Sequence, residues 1–293
     1  MSTEDSSVKG ADVPASDAFR LDRRFDRIGR LVGDRNMAVL AGSHVMVLGL
    51  GGVGSWAAEA LARSGIGTIT LVDFDDVCIT NFNRQLHALE GLVGAPKAKV
   101  MADRLSQINP AATIHVQPLF YNTEHHARIF EQRPDYVVDA IDAVTCKCRL
   151  LTYCRAEGIP VVSATGSGGR LDPGRVEVAD LALTDVDPLA RTLRKLLRRD
   201  FGFPAEGLFG IPTVFSKELP TMPYALAYDG DEGVRCVCPR GSSPYLKCEE
   251  RNLIMGTAAF VTGAFGLQCA AVVVRGLMER HARTGGEART TGN

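Results

Sequence analysis

Gly49-Leu50-Gly51-Gly52-Val53-Gly54 stands between an apolar run, Val45 to Leu48, and a stretch of helical character over residues 55–63. Strand, glycine turn and helix in that order build a phosphate cradle. The glycines let the chain turn tightly and let a polyphosphate approach the backbone, while free N–H groups and the positive end of the helix face the anion. A second apolar run, residues 68–72, ends at Asp73, where a carboxylate can take both hydroxyls of a ribose. Residues 44–73 therefore read as a nucleotide-binding βαβ unit. A close-packed turn without a ligand is the competing reading, and the spacing of strand, helix and acid disfavours it.

Beyond this unit the pattern alternates. Residues 75–92 lack periodicity and carry Thr80-Asn81-Phe82-Asn83-Arg84-Gln85, too many amides for a core strand. A helix is predicted over 98–108, opened by Pro96 and Lys97 and stopped by Asn109-Pro110. Strands are predicted over 113–119, 136–141, 159–164, 175–181 and 213–216, and helices over 122–130 and 149–157. Ahead of the unit, residues 19–40 read as an amphipathic lead-in with Phe25, Ile28, Leu31 and Val32 inward and Arg24, Arg27 and Arg30 sharing a face. The alternation predicts an α/β fold, a doubly wound, mostly parallel Rossmann-like sheet with helices on both faces. Ligands in such sheets sit beyond the carboxyl ends of the strands. The glycine loop, Asp73, Asp142 and Gly166-Ser167-Gly168-Gly169 all fall at such ends and are expected to meet in one crevice.

The net charge of the 293-residue chain is only −1, so any nucleic-acid binding needs a local basic patch. Residues 188–200 supply one: Arg191, Arg194, Lys195, Arg198 and Arg199 on one side of a predicted helix, Leu189, Leu193, Leu196 and Leu197 on the other. The alternative is a solvated amphipathic helix. Residues 201–244 are irregular and rich in glycine and proline. A closing helix is predicted over 253–278. Its apolar run is interrupted by Thr257, Thr262 and Gln268 and flanked by Arg251 and Arg275, which favours a buried or dimer-face helix over a membrane span. Eight cysteines without an export signal read as reduced thiols of a cytoplasmic protein.

Three features beyond the glycine loop indicate which nucleotide is handled. Arg84 can clamp the outer phosphates, with amides beside it for ribose or phosphate oxygens. Lys97 adds a cation at a helix start. Asp142 offers a single carboxylate, which suits Mg²⁺ bridging two phosphates. A nicotinamide-dependent dehydrogenase needs none of this set, and a non-catalytic nucleotide-binding subunit would be expected to have lost it. The charges point to attack on a nucleoside triphosphate; at the α-phosphorus the products are an adenylate and pyrophosphate.

The set of glycine loop, Asp73-Phe74-Asp75, Asn81-Phe82-Asn83-Arg84-Gln85, Lys97 and Asp142 resembles the ubiquitin-activating-enzyme-like adenylyltransferases of the ThiF/MoeB type. The resemblance implies ATP held by Gly49, Gly51, Gly52 and Gly54, by Asp73 on the ribose, and by Asp75, Asn81, Arg84, Gln85 and Lys97. It implies Mg²⁺ on Asp142. It also implies a homodimer in which an N-terminal arginine reaches the partner's ATP; Arg27 is the best match, with Arg24 and Arg30 as rivals. The catalytic set so implied is Arg84, Lys97, Asp142 and Arg27. The implied organisation is a disordered tail over 1–18, one adenylyltransferase domain over 19–283 and a mobile tail over 284–293. Within the domain, about 40–170 bind ATP and about 171–283 serve substrate and dimer.

Residues 51–63, Val77-Cys78, residues 83–89, Ala140-Ile141-Asp142, Gly168-Gly169 with Asp172-Pro173, Val214-Phe215-Ser216 and the basic helix resemble, more narrowly, the tRNA threonylcarbamoyladenosine dehydratases. That resemblance implies ATP-dependent cyclisation of N6-threonylcarbamoyladenosine in tRNA through an acyl adenylate, with the basic helix on the tRNA. The alternative is activation of the C-terminal carboxylate of a ubiquitin-like sulfur-carrier protein, a possible protein partner. Cys146-x-Cys148 and Cys236-x-Cys238, with Cys154 and Cys248 apart, provide no CxxC pair, so no structural zinc is expected. Cys236, Cys238 and Cys248 are candidates for a reactive thiol, against the commoner buried inert thiol. His87 reads as structural, with a proton carrier as the rival.

Overall fold

The computed structural model describes residues 19–226 and 254–287. Two short helices, α1 (Asp26–Val32) and α2 (Asp34–Ala41), lead into β1 (His44–Leu48), α3 (Gly54–Arg63) and β2 (Thr68–Val72). Then follow α4 (Lys97–Ile108), β3 (Thr113–Gln117), α5 (His126–Ile129), β4 (Tyr136–Asp139), α6 (Val144–Ala156) and β5 (Val161–Ala164). The remainder is β6 (Val176–Asp180), α7 (Pro188–Asp200), β7 (Pro212–Ser216) and α8 (Ala259–Glu287).

The seven strands form one sheet in the order β3-β2-β1-β4-β5-β7-β6, parallel except for β6 against β7. The chain winds outward from β1 in one direction, then restarts at β4 on the other side. The gap between those two strands is a topological switch point, where a crevice opens at the strand ends. One core packs α2, α3, α4 and α8 on one face through Leu40, Leu61, Leu105 and Phe265. A second packs α6 and α7 on the other through Leu150, Leu151, Leu193 and Leu197. Strands covered on both faces are mostly apolar, as β1 is from Val45 to Leu48 and β4 from Tyr136 to Val138.

The doubly wound sheet matches the expectation, while several boundaries differ. The lead-in is two helices, because Gly33 at φ 81° breaks it, and Leu31 is 82% exposed instead of inward. The helix expected over 122–130 is reduced to α5, its approach turned by Asn122, whose side chain accepts from the His125 amide. β4 ends at Asp139, two residues early, because the chain there turns into the crevice. α6 starts five residues before the expected 149. The closing helix begins at Ala259 and runs to Glu287, past the start of the expected polar tail. By length and composition α8 could cross a membrane, yet it packs on α3 and the sheet. Gly266 allows the approach: a Cβ there would collide with the Val53 carbonyl and sit 2.9 Å from the Ala57 amide nitrogen. Residues 1–18 and the segment holding Cys236, Cys238 and Cys248 lie outside the described residues.

Candidate active site at the strand ends

The turn after β1 is tight for steric reasons. Gly49 has φ 86°, and a Cβ on it would lie 2.6 Å from the Ala140 carbonyl oxygen. At Gly54 a Cβ would overlap the Gly49 carbonyl. Gly51 differs, since the nearest atom to its missing Cβ is Gln85 Nε2 at 4.0 Å. Two of these glycines thus close the turn, and Gly51 keeps an open face. A phosphate fits such a face.

Asp73, at the end of β2, is buried and ties the loop down: its Oδ2 accepts from the Leu50 amide at 2.6 Å and its Oδ1 from the Asp75 amide at 2.8 Å. Each carboxylate oxygen keeps a lone pair for a ribose hydroxyl. Burial, helped by Asp75, pushes the Asp73 carboxyl up, against the pull of Lys97 and the two amides. Lys97 opens α4 and is only 5% exposed, with its Nζ 2.8 Å from Asp75 Oδ2. Burial works against this ammonium, but Asp73 and Asp75 hold its pKa above the ordinary lysine range. It remains a fixed positive charge.

The amide-rich segment lies beside this pair. Asn81 is buried and accepts from the Cys78 amide at 3.0 Å. Arg84 is braced by the Thr80 carbonyl at 2.8 Å and Asn83 Oδ1 at 2.9 Å, and Trp56 of α3 donates to its carbonyl. Gln85 Oε1 is buried without a donor among the described residues. His87 is also buried, and its two ring nitrogens have no partner among the described residues. Burial and the neighbouring Lys97 pull the imidazole down to about 3, so it is neutral at physiological pH.

Asp142 is exposed on the loop from β4 to α6. Sequence reasoning missed what holds that loop. Asp139 and Lys147 form an ion pair at 2.6 Å with both side chains fully buried, and Ser163 of β5 donates to the same oxygen at 2.7 Å. Asp139 Oδ1 accepts from the Ile141 amide, which fixes the approach to Asp142. The available signal was a lysine on an otherwise apolar helix face between Cys146 and Cys148. Those two thiols and Cys154 are buried, which pushes all three up and leaves them poor nucleophiles. Among the described residues no group of three or more His, Cys, Asp or Glu side chains could hold a metal ion.

The crevice thus gathers the glycine loop, Asp73, Asp75, Asn81, Gln85 and Lys97, with Arg84 and Asp142 at its edges. Arg27 is not among them. Neighbouring Phe25 packs at Gly65, past the far end of α3, about 15 Å of helix away from the glycine loop. Arg24 is paired with Asp22 and Arg30 with Asp26, whereas Arg27 makes no such pair among the described residues. On α7, Arg191, Arg194, Lys195, Arg198 and Arg199 line one shallow depression of about 520 Å³. The side chain of Asp187 caps the helix at the Ala190 amide, and Pro188 starts it.

The model of the ThiF family matches residues 25–287. The tRNA threonylcarbamoyladenosine dehydratase of Escherichia coli is 43% identical over 275 residues, 93% of this chain and 99% of that protein. The crystal structure of the E. coli tRNA N6-threonylcarbamoyladenosine dehydratase in complex with ATP superposes with a TM-score of 0.76 at 41% identity, covering 92% of this chain and 99% of that one. The AMP complex of that dehydratase gives 0.77 at 42%, covering 93% and 100%.

Proposed function

This chain belongs to the ThiF family, and we propose that within it the protein is an ATP-dependent tRNA threonylcarbamoyladenosine dehydratase. The threonyl carboxylate of the modified adenosine attacks the α-phosphorus of ATP and pyrophosphate leaves. The ureido nitrogen then attacks the acyl carbon and expels AMP, closing a ring with net loss of water. The nucleophiles belong to the substrate, so the protein's task is to orient and to stabilise charge. The observation that carries this reading is Lys97, a buried, permanently charged ammonium set beside the glycine loop in a chain similar end to end to a dehydratase solved with ATP.

In this reading the glycine loop and Asp73 hold the nucleotide, and Asn81, Gln85, Arg84 and Lys97 contact ribose and phosphates. The open face of Gly51 and the partnerless Gln85 Oε1 fit a bound nucleotide. Asp142 would hold Mg²⁺, and its lone carboxylate suits an ion that takes one or two carboxylates and completes its shell with phosphate oxygens and water. Bound there, the metal would withdraw charge from the departing pyrophosphate.

The functional assembly is a cytoplasmic homodimer in which Arg27 acts on the partner's ATP. Two features support this. Arg27 is remote from its own crevice, and α8 presents an outward apolar seam. Phe260, Ala264, Leu267, Ala271, Val274 and Met278 recur at alternating steps of four and three, each exposed or half-buried. The depression on α7 takes the tRNA phosphate backbone. Activation of a sulfur-carrier protein is the weaker reading, since the similarity to the dehydratase covers 93% of this chain and 99% of that protein. Mass spectrometry of tRNA nucleosides after incubation with the pure protein and Mg-ATP tests the proposal: the modified adenosine should lose 18 mass units, on the order of one water, and an unchanged nucleoside with no AMP formed would refute it.

A further inference from the structure

We propose that Arg170 is a positioning residue that sets the basic helix α7 in register with the nucleotide crevice, so that RNA held on the helix delivers its acyl group to the strand ends. The inference rests on the tRNA reading above. Arg170 follows the glycine-rich turn after β5 and is 3% exposed. Its Nη2 donates to Asp187 Oδ2 at 2.7 Å, its Nη1 to the carbonyls of Gly166 and Gly168, and its Nε to the Glu218 carbonyl at 3.1 Å. Asp187 uses its other oxygen to cap α7 at the Ala190 amide, 2.7 Å away. One guanidinium therefore joins the glycine-rich turn at the carboxyl end of β5, the start of the basic helix and the exit of β7.

Two further observations show that this junction is close-fitted. A Cβ on Gly166 would lie 3.3 Å from Asp187 Oδ2, so the acid occupies the space beside the turn. Val186, next to Asp187, has φ 59°, the one non-glycine residue at positive φ among the described residues. A β-branched side chain is strained there and stays only when its surroundings fix it. A buried ion pair by itself is weak evidence of stabilisation, since an apolar pair often does as well. What an apolar pair lacks is the planar fork that fixes three directions at once. From this strut the cations begin at Arg191, four residues after Asp187, so the helix carries its charge outward from the crevice rim.

The test uses the full chain with Arg170→Met, Arg170→Lys and Asp187→Asn, the last retaining a helix cap. ATP affinity and tRNA affinity, each measured alone by equilibrium binding, should stay within about threefold of wild type. With both ligands saturating, turnover per ATP-binding site should fall by about 100-fold, the consequence of a displacement of roughly 1 Å between two bound partners. Arg170→Lys, which keeps the charge without the fork, should behave like Arg170→Met. Hydrogen exchange should quicken at residues 166–169 and at the first turn of α7 together. Unchanged turnover per site, loss of ATP affinity in all three variants, rescue by lysine, or faster exchange at one end alone would overturn the proposal. Wild-type protein that converts no modified tRNA would instead sink the functional reading, and the strut is then judged by the exchange data.

Discussion

Lys97 in the crevice is 5% exposed and held against Asp75, whereas Arg191, Lys195, Arg198 and Arg199 on α7 are exposed. In the proposed function both regions gather positive charge for phosphates, and they do so by opposite means. The crevice buries one ammonium where water and salt screen little and braces one half-buried guanidinium at its edge, so each is aimed at a particular oxygen. The helix offers a field of exposed cations, Arg199 paired with Asp200 and Arg198 set over the Phe209 ring among them, which attracts a polyanion without selecting an atom. Even on the helix the packing differs by residue: burial and the neighbouring Arg198 and Arg191 pull Arg194 down, and its side chain donates to Thr184 Oγ1. A triphosphate cleaved at one phosphorus needs the first kind of site, and a long RNA backbone needs the second.

The contrast is broken most severely at Gly54. A methyl there meets the Gly49 carbonyl and comes within 3.3 Å of the Ala140 Cβ. Gly54→Ala should cost roughly 3 kcal/mol or more in denaturant unfolding and remove ATP binding, while Lys195→Ala on α7 should stay within about 0.5 kcal/mol. If both are silent, the crevice is no more rigid than the helix. Next, Asp142→Ala should lower AMP formation by on the order of 1,000-fold with tRNA affinity and thermal stability intact. Normal turnover would remove the metal assignment.

On the other side, neutralising Arg194, Arg198 and Arg199 together should weaken tRNA binding by on the order of 100-fold at low salt and reduce the salt slope by roughly 2 to 3, with ATP affinity unaltered. An unchanged slope would move the RNA surface elsewhere. The smallest effect concerns titration, which only the buried region should show. His87 has its folded pKa depressed to about 3 from 6.5, so its contribution is complete above about pH 6.5 and is lost as pH falls toward 3. His44 and His126 shift in the same direction. His87→Leu should therefore flatten the fall in stability below pH 6.5 by up to about 1.4 kcal/mol per pH unit, measured by denaturant unfolding at pH 7, 6 and 5. Parallel curves for the two proteins would mean that the imidazole is not buried neutral.

The local sequence determined the phosphate loop, the alternation of strand and helix, and the amphipathic basic helix, whose bounds at 188 and 200 agree with α7. These are properties of nearest neighbours: glycine at a turn, apolar period, charge on one side. Tertiary structure alone decided the rest. Asp139 with Lys147, and Arg170 with Asp187, are 8 and 17 residues apart; the apolar strand around Asp139 and the apolar helix face around Lys147 show that each is buried, but nothing in the pattern names the partner of either acid. Their partners are set by which strand ends adjoin, as Asp139 reaches Ser163 only because β4 and β5 pair. Arg27 shows the same limit, since its place in the sequence is plain and its distance from its own crevice follows from Phe25, just before α1, packing at Gly65 beyond the end of α3. Residue type and spacing name the chemical groups, but a buried charge acquires its role from the groups that folding brings within hydrogen-bond distance.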